Sequence, residues 1–135
     1  YLKAANMILA PDLMSCRAVV DWELSTLGNP LSDFAYFCRD YHLPVEAGGF
    51  GSDPGLLGIP AEAEMLAAYT DRTGQSIGDD WLYYVVFNMF RLAAIRQGVA
   101  KRIKDGTATS ANAATAAQGA VDMANQAWGL VQRNF

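Results

Sequence analysis

Two long stretches with helical spacing in the second half of this chain, set against two very short β-branched runs near its start, limit most strongly how it can fold. Between Gly78 and Gly106, Leu82, Val85, Val86, Met89, Leu92, Ala93, Val99 and Ile103 recur at helical spacing. Asp79 or Asp80 suits the start of that helix, and Lys101, Arg102 and Lys104 suit its last turn, each sign being favoured by the helix dipole. A second long helix is predicted from an N-cap at Ser110 to about Gln132, alanine-rich early and carrying Val121, Ala124, Trp128 and Val131 later. Two shorter helices precede them. One runs from Pro30 or Leu31 to about Tyr41 on Leu31, Phe34, Ala35 and Phe37 or Cys38; the other runs from Pro60 to a stop at Gly74 on Met65, Leu66 and Tyr69. Upstream, Met7–Leu9 and Arg17–Trp22 read as short strands joined through a turn at Pro11 and Asp12. The expected architecture is α+β and mostly helical, with residues 1–28 forming a hairpin and loop, and residues 29–135 a four-helix subdomain. A two-stranded hairpin is not stable by itself, so it must pack on the helices or on something further.

Composition narrows the function classes. The 135 residues are 52% hydrophobic and 18% charged, which fits a folded domain and not a disordered tail. A net charge of -4 argues against a general nucleic-acid binder, which needs a basic surface. The most apolar run, Trp81 to Phe90, contains Asn88 and is followed by Arg91, so no membrane span is expected. Two cysteines, Cys16 and Cys38, are too few for a disulfide scaffold, and a cytoplasmic home is the simplest expectation.

The residues that can carry chemistry lie at the hairpin. An acidic residue leaving a strand into a loop, as Asp21 does, has a fixed backbone and a carboxylate free to meet a ligand. If the strands pair, Asn6 comes close to it, and an amide oxygen with a carboxylate is a hard donor set suited to Mg²⁺ and the phosphate oxygens that accompany it. Taken alone, the same residues fit a strand-end carboxylate capping a loop amide and a turn asparagine.

The stretch Asp21-Trp22-Glu23-Leu24-Ser25-Thr26-Leu27-Gly28-Asn29-Pro30-Leu31-Ser32-Asp33-Phe34-Ala35 resembles the metal-binding segment of the aminoglycoside phosphotransferase family, in particular the branch also found fused to acyl-CoA dehydrogenases. The resemblance continues in order through Tyr41-His42-Leu43-Pro44, Gly58-Ile59-Pro60, Tyr69, Thr73-Gly74, Trp81 with Tyr83-Tyr84, and Phe90 to Gly98. It implies the later part of the C-terminal lobe of a protein-kinase-like fold. It also implies Mg²⁺ held by Asn6 and Asp21, ATP as co-substrate, and transfer of the γ-phosphoryl group to a hydroxyl of a small molecule. By the same resemblance Asp33 braces the catalytic loop, while Glu23, Tyr84 and Arg91 are candidates to face the acceptor. The family's catalytic Asp stands five residues before its Asn, and here that position is Tyr1. The general base and the nucleotide lobe are therefore expected upstream, and the chain by itself is expected to be inactive. The alternative is a non-catalytic helical interaction module, or pseudokinase-like remnant, that self-associates through exposed apolar surface.

Other features have plainer readings. His42 lacks a partner at metal-ligand spacing and is expected to be structural or solvated, and a Cys38–His42 nucleophile pair lacks an orienting third group. Gly49 to Gly55 superficially resembles a phosphate loop, but Pro54 and Asp53 are unsuited to that role. Trp81, Tyr83, Tyr84, Phe87 and Phe90 are expected mainly as core.

Overall fold

The computed structural model describes residues 3–23, 25–107 and 113–135. Its regular elements are strands β1 (Met7–Leu9) and β2 (Cys16–Val19) and helices α1 (Pro30–Cys38), α2 (Glu62–Thr73), α3 (Trp81–Lys104) and α4 (Ala113–Asn134). The expected N-cap Ser110 lies outside the described residues.

β1 and β2 pair antiparallel with Met7 opposite Val19 and Ile8 opposite Ala18, and the register slips between Ile8 and Leu9. The pairing extends past the strand ends, where the Val20 amide donates to the Asn6 carbonyl at 2.9 Å. β2 is shorter than expected and stops before Asp21, whose φ of 71° turns the chain out of the extended region.

α1 starts where the sequence says it should. Asn29 caps it by accepting from the Leu31 amide at 3.0 Å, with Pro30 in the first turn. The regular helix ends at Cys38, earlier than expected, and a 3₁₀ turn over Arg39–His42 completes the span. α2 begins two residues beyond Pro60. The Glu64 carboxylate reaches back to the Ala61 amide at 2.8 Å, and Gly74, with φ of 70°, closes the helix in a conformation a side chain disfavours.

The core is made by α3 packed along α4 and against α1. Ala35, Leu43, Val85, Met89, Ala93, Met123, Ala127 and Leu130 form it, and neither strand contributes. Each fully buried Met or Val there is worth roughly 1.5–3 kcal/mol of transfer free energy. The face that α4 buries is Ala120, Met123, Ala127 and Leu130, while Val121 and Trp128 are exposed. The expected apolar stripe is thus one position out of step with the buried one. The aromatic run on α3 also divides: Tyr83, Phe87 and Phe90 are exposed, and Val85 and Asn88 go inside.

α2 buries no residue fully and is held by side-chain contacts. Tyr69 stacks on Phe34 with centroids 4.1 Å apart. His42 Nε2 lies 2.8 Å from Glu62 Oε1, and the Trp81 indole N–H donates to the same oxygen at 3.0 Å. His42 is therefore structural, as expected, and joins the turn after α1 to the first turns of α2 and α3. In the glycine-rich segment the Asp53 carboxylate already accepts from the Gly55 amide at 3.0 Å, and a side chain on Gly49 would collide with the Leu43 carbonyl.

Candidate active site

The hairpin register places Asn6 beside Val20 and Asp21, and the side chains meet. The Asn6 amide nitrogen donates to Asp21 Oδ2 at 2.9 Å, across fifteen positions of sequence. Asn6 is buried and ends a 3₁₀ turn over Ala4–Asn6. Asp21 sits at the other rim with a left-handed backbone, a conformation that costs about 1–2 kcal/mol for most L-residues and that Asp tolerates better than bulky ones. Strain of that size persists where the surroundings fix it, and sites of function are where it collects.

A cavity of about 60 Å³ opens here, lined by Asn6, Asp21, Trp22, Ser25 and Asp33 among others. Asp33 enters it from the first turn of α1, which is pinned to α3 at two points. The Asn29 side-chain amide donates to the Tyr84 hydroxyl at 2.7 Å, and the Asn88 amide donates to the Ser32 carbonyl at 2.8 Å and the Tyr84 carbonyl at 2.9 Å. Asn88 is fully buried, so its satisfied amide fixes the angle at which α1 meets α3.

The structure therefore brings Asn6, Asp21 and Asp33 to one cavity. Glu23 lies exposed in the loop just beyond Asp21. Tyr84 uses its hydroxyl on Asn29, and Arg91 bonds Asn88 Oδ1 at 3.3 Å with its guanidinium 5.6 Å from the Phe87 ring centre. Lys3 is a residue that sequence reasoning missed: its ammonium lies 4.0 Å from Asp21 Oδ2. Asn88 was missed as well, because a polar residue inside an apolar run reads as an interruption.

The donor set suits a hard cation. Among the described residues no three His, Cys, Asp or Glu side chains are grouped to hold a metal, so a cage made by protein alone is not on offer. One carboxylate and one amide in a small cavity leave most positions to water and phosphate, which is how Mg²⁺ is commonly held. The Cys38–His42 pair, in contrast, offers no nucleophile. Burial, with help from Glu62 and Asp40, pushes the Cys38 thiol up to about 12.

Known proteins resemble this chain in sequence and in fold. The sequence profile of the phosphotransferase enzyme family matches residues 2–81, which include the hairpin, the cavity and α1. The chain belongs to that family. It is 42% identical over 127 residues to the mouse acyl-CoA dehydrogenase family member 10, covering 91% of this chain and 12% of that protein. It is 34% identical over 111 residues to human family member 11, covering 78% of this chain and 14% of that one. A crystal structure from Ralstonia eutropha JMP134, described provisionally as an aminoglycoside phosphotransferase, superposes with a TM-score of 0.88 at 42% identity, over 98% of this chain and 41% of that one. The fold is thus that of the kinase-like phosphotransferases, and the chain spans well under half the length of these relatives. Among the described residues no helix is long and apolar enough to cross a membrane.

Proposed function

We propose that this chain holds the Mg²⁺ of an ATP-dependent phosphotransferase that moves the γ-phosphoryl group of ATP to a hydroxyl of a small molecule, with Asn6 and Asp21 as the cation ligands. The observation that carries this reading is the 2.9 Å contact between those two side chains at the rim of a small polar cavity, in a family of phosphotransferases. Mg²⁺ bound there would neutralise charge on the phosphates and fix their orientation, which is most of what phosphoryl transfer asks of a protein. The residues of the chain supply the rest of the positioning. Asn6 gives a neutral oxygen from a buried turn. Asp21 gives the anionic one from a backbone that allows little freedom. Asp33 keeps the cavity negative and fixes its wall, and Tyr84 and Asn88 hold the turn that carries Asp33. Glu23 and Arg91 remain the side chains proposed to meet the acceptor. A hydroxylated acyl compound is the acceptor class that the names of the acyl-CoA dehydrogenase relatives favour.

The experiment is a Mg²⁺ titration, alone and with ADP, of the chain and of its Asp21→Ala and Asn6→Ala variants. Each substitution is expected to weaken cation binding at least about tenfold, the scale of one lost charged or well-placed ligand. Binding that survives both unchanged refutes the site.

One observation favours a second reading, an interaction module. Ile8, Leu13, Met14, Val20, Trp22 and Leu27 are all exposed on or beside the hairpin, a concentration of apolar surface that promotes association. Light scattering after gel filtration decides it: a concentration-independent monomer removes this reading, and a dimer disrupted by Met14→Lys and Trp22→Lys supports it.

A further inference from the structure

We infer that the cleft between α1 and α2 binds an amphiphilic carboxylate, its apolar chain laid along α2 and its carboxylate held by Arg72. The inference is independent of the cation site. The cleft measures about 740 Å³, within the range of small-molecule pockets. Its apolar walls are Phe34 from α1, Ile59 and Pro60 from the segment before α2, and Met65, Ala68 and Tyr69 from α2 itself. Phe34 and Tyr69 lie nearly parallel, at 11° with centroids 4.1 Å apart, and offer a flat aromatic surface. Asp33 and Phe34 are consecutive on α1, so one lines the cation cavity and the other this cleft.

Most polar groups in the cleft already have partners. The Tyr69 hydroxyl donates to Gln75 Oε1 at 3.0 Å, the Thr73 hydroxyl donates to the Tyr69 carbonyl at 2.7 Å, and the Pro60 carbonyl accepts from the Tyr41 hydroxyl at 2.8 Å. The Glu64 carboxylate accepts from the Ala61 amide at 2.8 Å. Arg72, exposed in the last turn of α2, makes neither a hydrogen bond nor an ion pair among the described residues. The cleft therefore offers apolar surface and one unclaimed cation, and the planar guanidinium matches both oxygens of a carboxylate. The charges in the lining also set a direction. Glu64 and Arg72 sit in the first and last turns of α2, roughly 12 Å apart along the helix axis. An anion is repelled at the Glu64 end and drawn to the Arg72 end, which lays the chain over Ala68 and Met65 towards Pro60. Asp71, next to Arg72, does not line the cleft. The carbonyl end of a helix carries only partial negative charge, which the full charge of Arg72 exceeds. The reversed arrangement, an ammonium at Glu64, competes with the bond Glu64 already makes to Ala61.

The test is isothermal titration calorimetry of the chain with octanoate, octanol and octylamine, which put an anionic, a neutral and a cationic head on one apolar chain. Octanoate is expected to bind more tightly than either of the others by roughly three- to tenfold, the scale of one charged contact at an exposed rim. Arg72→Gln should weaken octanoate by that factor and leave octanol unchanged, so octanol binding also shows that the variant is folded. Arg72→Lys, which keeps the charge, should retain most of the octanoate affinity. Ala68→Leu, which fills the cleft, should weaken octanoate and octanol alike by about tenfold, the scale of two methylenes kept out of the apolar surface. Absence of octanoate binding, or equal affinity for all three heads, overturns the inference. So does a fall in octanol binding in Arg72→Gln, which would make the role of Arg72 structural. Octanoate affinity that survives Ala68→Leu overturns it as well, by placing the ligand elsewhere, as on the exposed apolar side chains of the hairpin.

Discussion

At the scale of single residues, Asp21 combines an exposed carboxylate with a backbone that most side chains resist. Its φ of 71° means that removing the carboxylate has different costs depending on what replaces it. Asp21→Gly and Asp21→Ala both lose the contact to Asn6, but only alanine keeps the β-carbon that strains a left-handed residue. The glycine variant is expected to be more stable by about 1 kcal/mol, the reverse of the usual order, and paired thermal melts check it. An alanine variant of equal or greater stability would show that the backbone is not strained. The two thiols give a second prediction. Cys16 is exposed, whereas Cys38 is buried with its thiol pushed up to about 12, so at pH 8 almost none of it is thiolate. A colorimetric thiol reagent is expected to modify one cysteine rapidly in the native protein and the second only in denaturant. Rapid modification of both would contradict the packing around α1.

At the scale of elements, the joint made by His42, Glu62 and Trp81 carries a pH dependence of definite sign. Burial pushes the Glu62 carboxyl up, but the hydrogen bond and charge of His42 and the Trp81 indole outweigh it, so the net displacement is downward from 4.5. A carboxyl lowered by folding adds stability that is fully present above its unfolded value and disappears as pH falls through its folded value. Denaturant midpoints measured from pH 6 down to pH 3 should therefore fall, and Glu62→Gln should flatten the lower part of that curve. An unchanged slope in the variant would place the acid sensitivity elsewhere. α4 shows what periodicity can and cannot reveal. Its alanines leave apolar residues on adjoining faces, so Val121, Ala124, Trp128 and Val131 fit a helical stripe as well as the buried Ala120, Met123, Ala127 and Leu130 do. Only contact with α3 decides between them. Met123→Ala is expected to cost about 2–5 kcal/mol and Trp128→Ala under about 1 kcal/mol, compared by urea denaturation; the opposite order would put the wrong face in the core. The start of α1 and the stop of α2 were legible because Asn29, Pro30 and Gly74 act locally. The joint at Glu62 was not, since its members come from separate elements and meet only after folding.

At the scale of the whole molecule, helices supply the core and the hairpin carries the proposed cation site. Its strands contribute nothing to that core, yet their register sets Asn6 against Asp21. That meeting was legible because two short strands joined by one turn have few ways to pair. Lys3 and Asn88 were not, since an exposed lysine and a polar interruption in a helix have no motif of their own. The most direct test of the central claim uses nuclear magnetic resonance of the chain with substoichiometric Mn²⁺, whose unpaired electrons broaden nearby signals. The side-chain amide of Asn6 and the backbone amide of Asp21 are expected to vanish together, at the same low Mn²⁺ concentration, before signals from α4. If one of the two persists while the other is lost, or if both outlast signals elsewhere, they do not share a cation.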